Sequence, residues 1–126
     1  MKIKVHELWQ KLGVEIHINA DMADEHMPEG FYYVIEKEHD NTYMFLDSKK
    51  TNLFYLEEWD ETSEVSIVNA EIEDRVQALV DGLSIRMIGL IADGWTENNN
   101  GHFDLTSYNT TLKEYKKLLD IIKDEE

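Results

Sequence analysis

The chain predicts an α+β fold, with an antiparallel sheet of four to five strands in a meander packed against two longer helices and a short helix in front. Three observations carry this prediction. Short aromatic and β-branched runs, separated by gaps of Asp, Asn and Ser, fill most of the first half. Two long stretches in the second half repeat apolar residues at steps of three and four. A length of 126 residues with 42% hydrophobic content suits one core, so residues 1–126 are expected to form a single domain.

At the N-terminus Val5, Leu8, Trp9 and Leu12 share helical spacing and Gly13 supplies a stop, so a short amphipathic helix with Trp9 in the core is expected. Val14, Ile16 and Ile18 then alternate with Glu15 and His17, the period-two pattern of a half-buried strand. Residues 19–30 are polar and acidic and contain Pro28, which reads as a loop with room for one helical turn. Strand-like runs follow at Phe31 to Glu38, Thr42 to Leu46 and Leu53 to Leu56. Val65 to Val68 is a further candidate of the same group.

Asn69 is placed to cap the clearest helix, because Glu71, Glu73 and Asp74 in its first turns complement the positive end of the helix dipole. Ile72, Val76, Leu79, Leu83, Met87 and Leu90 form its apolar face, ending near Asp93-Gly94. Gly82 and Gly89 each weaken it by roughly 1 kcal/mol relative to alanine. An unbroken helix is favoured, and a break at Gly82 followed by an extended Ile85 to Ile91 is the alternative. Thr96 to Asn109 reads as a polar loop, with Asn100-Gly101 as a tight turn and a short extended piece at His102 to Leu105. Asn109 or Thr110 then caps a last helix, with Leu112, Tyr115, Leu118, Leu119 and Ile122 on its apolar face and lysines on the other.

Function is read chiefly from charge. The chain has 27 acidic and 12 basic residues, a net charge of −15, and no basic residue between Lys50 and Arg75. Such a field repels nucleic acid and anionic membrane and attracts cationic surfaces, so neither direct nucleic-acid binding nor membrane binding is expected. Neither a secretory leader nor a spanning segment is visible: acidic and polar residues interrupt the first apolar stretch, and Leu83 to Ala92 is about half the ~20 residues a bilayer needs. With no cysteine there is no disulfide framework and no thiolate zinc site, and a cytoplasmic location is expected.

Within the base-free stretch, Glu57, Glu58, Asp60 and Glu61 surround Trp59, and Glu64 follows closely. A large aromatic among carboxylates has the composition of an interaction hot spot, in which the ring fills a pocket and the charges steer approach. The ordinary alternative is a ring folded back on the sheet edge. These six residues are the expected contact for a basic protein surface, as an inhibitor, immunity or regulatory protein would present to a nucleic-acid-binding protein. A weaker alternative is a metal-dependent or small-ligand-binding enzyme using His17, Asp21, Asp24 and His26, since imidazole and carboxylate together suit zinc, manganese or iron. The helical pattern of two histidines four apart is absent, and no phosphate loop, dinucleotide fingerprint or nucleophile elbow is present. The sequence therefore leaves enzyme status undecided, weighted towards a non-enzyme, and implies no cofactor. Acidity that serves solubility alone is the bland second alternative, and no oligomeric state follows.

Overall fold

The computed structural model describes residues 1–23, 25, 27–39, 42–56, 63–93 and 105–125. Its strands are β1 (Lys2–Lys4), β2 (Glu15–Ile18), β3 (Gly30–His39), β4 (Thr42–Asp47), β5 (Leu53–Leu56) and β6 (Glu64–Asn69). Two α-helices follow, α1 (Ile72–Ala92) and α2 (Leu105–Asp124), and a 3₁₀ helix covers Val5–Lys11. The strands form one antiparallel sheet in the order β1-β6-β2-β3-β4-β5.

The meander expected from alternation is β2 to β5. The sheet has six strands rather than four or five. Strand β6 does not extend the meander beyond β5 but pairs with β2, and β1 adds an edge beside it. Three residues are too few to display a period, and only pairing with β6 makes Lys2–Lys4 a strand.

The first helix also differs, being 3₁₀ in form. A repeat of three residues per turn stacks positions three apart, so Val5 and Leu8 are both fully buried while Trp9, one position on, is 52% exposed. The expectation that Trp9 lies in the core is corrected accordingly. Gly13 ends this segment with φ +86°, and a Cβ there would sit 2.5 Å from the Arg75 carbonyl oxygen. Both the left-handed backbone and the close approach require glycine.

Side chains from the two faces of the sheet build two cores. On one face Ile16, Ile18, Tyr32, Val34, Phe45 and Val65 pack with Val5 and Leu8, and with Met27 from the loop before β3. Tyr43 joins them and donates its hydroxyl to the Val5 carbonyl at 3.0 Å, tying the 3₁₀ helix to β4. On the other face Ile35, Met44 and Leu46 meet α1 and α2.

Helix α1 runs unbroken through Gly82. A Cβ at Gly82 would come within 2.7 Å of the Ile35 side chain, so this glycine lets helix and sheet approach closely. The helix starts at Ile72 rather than directly after Asn69. Asn69 orders the entry, its Oδ1 accepting from the Glu71 N–H and its Nδ2 donating to Asp74, both at 2.9 Å. Helix α2 begins at Leu105, four residues before the expected cap at Asn109. Leu105 and Tyr108 are buried on the face that also carries Leu112 and Leu119, and that burial outweighs the poor helix propensity of Thr106, Ser107 and Asn109. Leu118, placed on the apolar face, is 41% exposed.

The turns follow residue chemistry. Asn19 Oδ1 accepts from the Asp21 and Met22 N–H groups, both at 3.1 Å, and Asp47 Oδ1 accepts from Thr51 and Asn52 while Lys50 takes φ +60°. Burial pushes the Asp47 carboxyl up, but these bonds outweigh it and hold it below the usual carboxylate range. The expected turn at Asn100-Gly101 and the first three residues of the extended piece expected at His102 to Leu105 lie outside the described residues, whereas its last residue, Leu105, is helical and opens α2. Among the described residues no helix is long and apolar enough to cross a membrane.

Candidate functional site

Helix α1 packs on β3, β4 and β5, which divides the helix-side face of the sheet into a covered half and an open half over β1, β6, β2 and the start of β3. Each half holds a distinct group of polar and aromatic residues.

In the covered half, a β-bulge between Val34 and Glu36 is decisive. Strict alternation would aim Glu36 to the same side as Tyr32 and Val34. The extra residue instead turns Ile35 and Glu36 both towards the helices. Glu36, Met44 and Tyr55 thereby line up across β3, β4 and β5, beneath Arg86 of α1 and Tyr108 of α2. The Tyr108 hydroxyl lies 3.3 and 3.4 Å from the two Glu36 carboxylate oxygens, and the Tyr55 hydroxyl lies 3.3 Å from Met44 Sδ. The Arg86 guanidinium sits 5.8 Å from the Tyr55 ring centroid, and its Nε is buried without a hydrogen-bond partner. Burial raises the Glu36 carboxyl above its ordinary value, opposed by the bond from Tyr108, reinforced by Glu38 and opposed again by Arg86. This cluster can take up a proton and it ties five elements together.

The open half carries a ladder of residues in register: Lys2, Ser66, His17 and Phe31 stand side by side on β1, β6, β2 and β3. Ile16 and Ile18 point into the opposite core, so His17 between them faces this side. Its ring contacts Phe31, with centroids 4.9 Å apart. Phe31 and Val68 are each 48% exposed. Glu64 pairs in register with Lys4 at the edge of the same half.

Carboxylates border this surface where α1 begins. Burial raises the Glu15 carboxyl, the neighbouring Asp74 raises it further, and Lys50 opposes both. Burial likewise raises the Tyr33 phenol, as do Glu15, Asp74 and Asp81. The nearby cations are already engaged. Lys50 Nζ lies 3.3 Å from Asp81 and 5.5 Å from the Tyr33 ring centroid, and Arg75 Nε donates to the Leu12 carbonyl at 3.0 Å.

Of the six residues expected to bind a partner, Glu64 is the one described, exposed at the start of β6. Glu57, Glu58, Trp59, Asp60 and Glu61 lie outside the described residues. Of the alternative metal set, His17 stands in the sheet against Phe31 and Asp21 in the Asn19 turn, while Asp24 and His26 lie outside the described residues. Among the described residues no group of three His, Asp or Glu side chains is arranged to hold a metal ion. Sequence reasoning did not single out Glu15, Phe31, Glu36 or Arg86. The His17 to Phe31 pairing was accessible from the alternation of the two strands, whereas nothing in the sequence marks the bulge that moves Glu36. Comparison with protein-family models, curated proteins and solved structures yields no match for this chain.

Proposed function

We propose that this protein is a non-enzymatic, cytoplasmic binding domain that docks an acidic face on a basic surface of a partner protein, as an inhibitor, immunity or regulatory protein does. The observation that carries this is the border where α1 begins, at which a part-buried Glu15 also feels the Asp74 carboxylate, while Lys50, which opposes that repulsion, is shared with Asp81 and Arg75 Nε is bonded to the Leu12 carbonyl. Mutual repulsion among fixed carboxylates costs free energy in the unbound chain, and an incoming cation relieves it. Glu64 and Glu71 are exposed, and the run Glu57 to Glu61 around Trp59 adds to the net negative charge of the chain. A nucleic-acid-binding protein is a natural partner, since spaced carboxylates can occupy a phosphate-binding groove.

The test is stopped-flow association of the full chain with a fluorescent arginine-rich peptide at increasing sodium chloride. Electrostatic steering predicts an association rate that falls roughly tenfold or more between low and moderate ionic strength. A rate independent of salt contradicts the proposal.

A further inference from the structure

We propose that the docking surface is the open half of the sheet itself, with Phe31 and Val68 as apolar anchors and an arginine-bearing protein segment as the occupant. The inference rests on the acidic-docking proposal above and adds where the partner lies and what it must present.

Four features support it. The ladder Lys2, Ser66, His17 and Phe31 crosses four strands, beside the part of the sheet on which α1 makes its main contacts. Phe31 is half-exposed and its ring rests against the His17 ring, a contact that favours its present rotamer before a partner arrives. A preorganised aromatic loses little side-chain freedom on binding, which is what makes such residues anchors. Glu15 stands on β2 one pleat from His17, and the Glu15–Tyr33 pair adjoins the His17–Phe31 pair. An arginine lying on the Phe31 ring therefore has the Glu15 carboxylate on the neighbouring strand, one pleat along.

The charges also select the mode of approach. Lys2 and Lys4 occupy the short edge strand β1, and edge lysines disfavour pairing with an added strand. Lys4 is opposed by Glu64 in register, so the positive charge on this half is concentrated at the rim and the centre is open to a cation. A partner thus lies across the face, its guanidinium placed over an aromatic ring and next to a carboxylate, where both attractions act at once.

The experiment is titration of the isotopically labelled full chain with an arginine-glycine repeat peptide at low salt, followed by amide shifts, for the wild type and for Phe31→Ala and Val68→Ser. The proposal expects saturable shifts centred on His17, Phe31, Ser66 and Val68. It also expects about tenfold weaker binding for Phe31→Ala, with the α1 and β4 amides of the variant unmoved in the free state. Saturable binding that maps to α2 or another surface, or a Phe31→Ala affinity within twofold of wild type, overturns this inference and leaves acidic docking standing. Absence of any saturable binding at low salt overturns both.

Discussion

The two halves of the helix-side sheet face use polar residues in opposite ways. Under α1, Glu36, Arg86, Tyr55 and Tyr108 are drawn together, with Tyr108 buried, Glu36 and Arg86 half-buried and Tyr55 at the margin, and the helix approaches so closely at Gly82 that a methyl group has no room. Over β1, β6 and β2, the side chains at corresponding register positions stand open, and an aromatic ring is left half in water. A polar group beneath a helix gains from a partner, because leaving one unsatisfied costs about 1–3 kcal/mol, a cost that Arg86 Nε bears here. One on an open sheet face has no such demand and is free for recognition. The covered half therefore explains the stability of the fold, and the open half is where function is sought.

The largest perturbation is expected at the junction of the halves. Gly13→Ala forces a side chain into a left-handed backbone and against the Arg75 carbonyl, so a loss of roughly 3 kcal/mol or more is expected from urea unfolding. A loss below about 1 kcal/mol would mean that α1 is not seated against this turn. Next comes Gly82→Ala, in which the new methyl meets the buried Ile35 side chain. Overpacking predicts a loss of about 1–3 kcal/mol, and the alanine propensity gain of roughly 1 kcal/mol offsets part of it. Net stabilisation would contradict the tight contact between α1 and β3.

A smaller effect tests the Glu36 cluster through pH. A carboxyl with a raised folded pKa binds its proton more tightly in the folded state than in the unfolded chain. Its contribution to stability is thus fully present below the unfolded carboxylate value and is lost as pH rises through the folded value. Burial raises Glu36 in this way. Glu36→Gln should therefore show a flatter dependence of its urea midpoint on pH than the wild type as pH rises above the ordinary carboxylate range. Identical slopes would place the Glu36 carboxyl in water. Smallest of all is Phe31→Ala on the open half, where a half-exposed ring contributes little to the core. A stability change within about 0.5 kcal/mol is expected, and a loss several times larger would show that the open half is core after all.

Much of this contrast was legible in the chain, and the exceptions have physical causes. Alternation located β2 to β5, and the stripe from Ile72 to Leu90 located α1, because burial on one face imposes those periods directly. Glu36 escaped because a bulge breaks the period without leaving a mark on residue types. Trp9 was misplaced because a 3₁₀ helix stacks residues three apart where an α-helix accepts three and four. Strand β1 and the first turn of α2 exist through tertiary pairing and burial, to which a local pattern is blind. Of the contact expected around Trp59 only Glu64 is among the described residues, and the proposed docking surface uses Phe31 and Val68 with Glu15 beside them.

Placement of charge, as distinct from its total, is the central claim. Two double variants separate them: Glu15→Gln with Asp74→Asn at the border of the open half, and Asp120→Asn with Asp124→Asn on exposed positions of α2. Each removes two negative charges. The measurement is the association rate with the arginine-rich peptide at low salt. Docking on the open half predicts a clear fall for the first pair and a much smaller one for the second, whereas equal falls would show that net charge alone governs association.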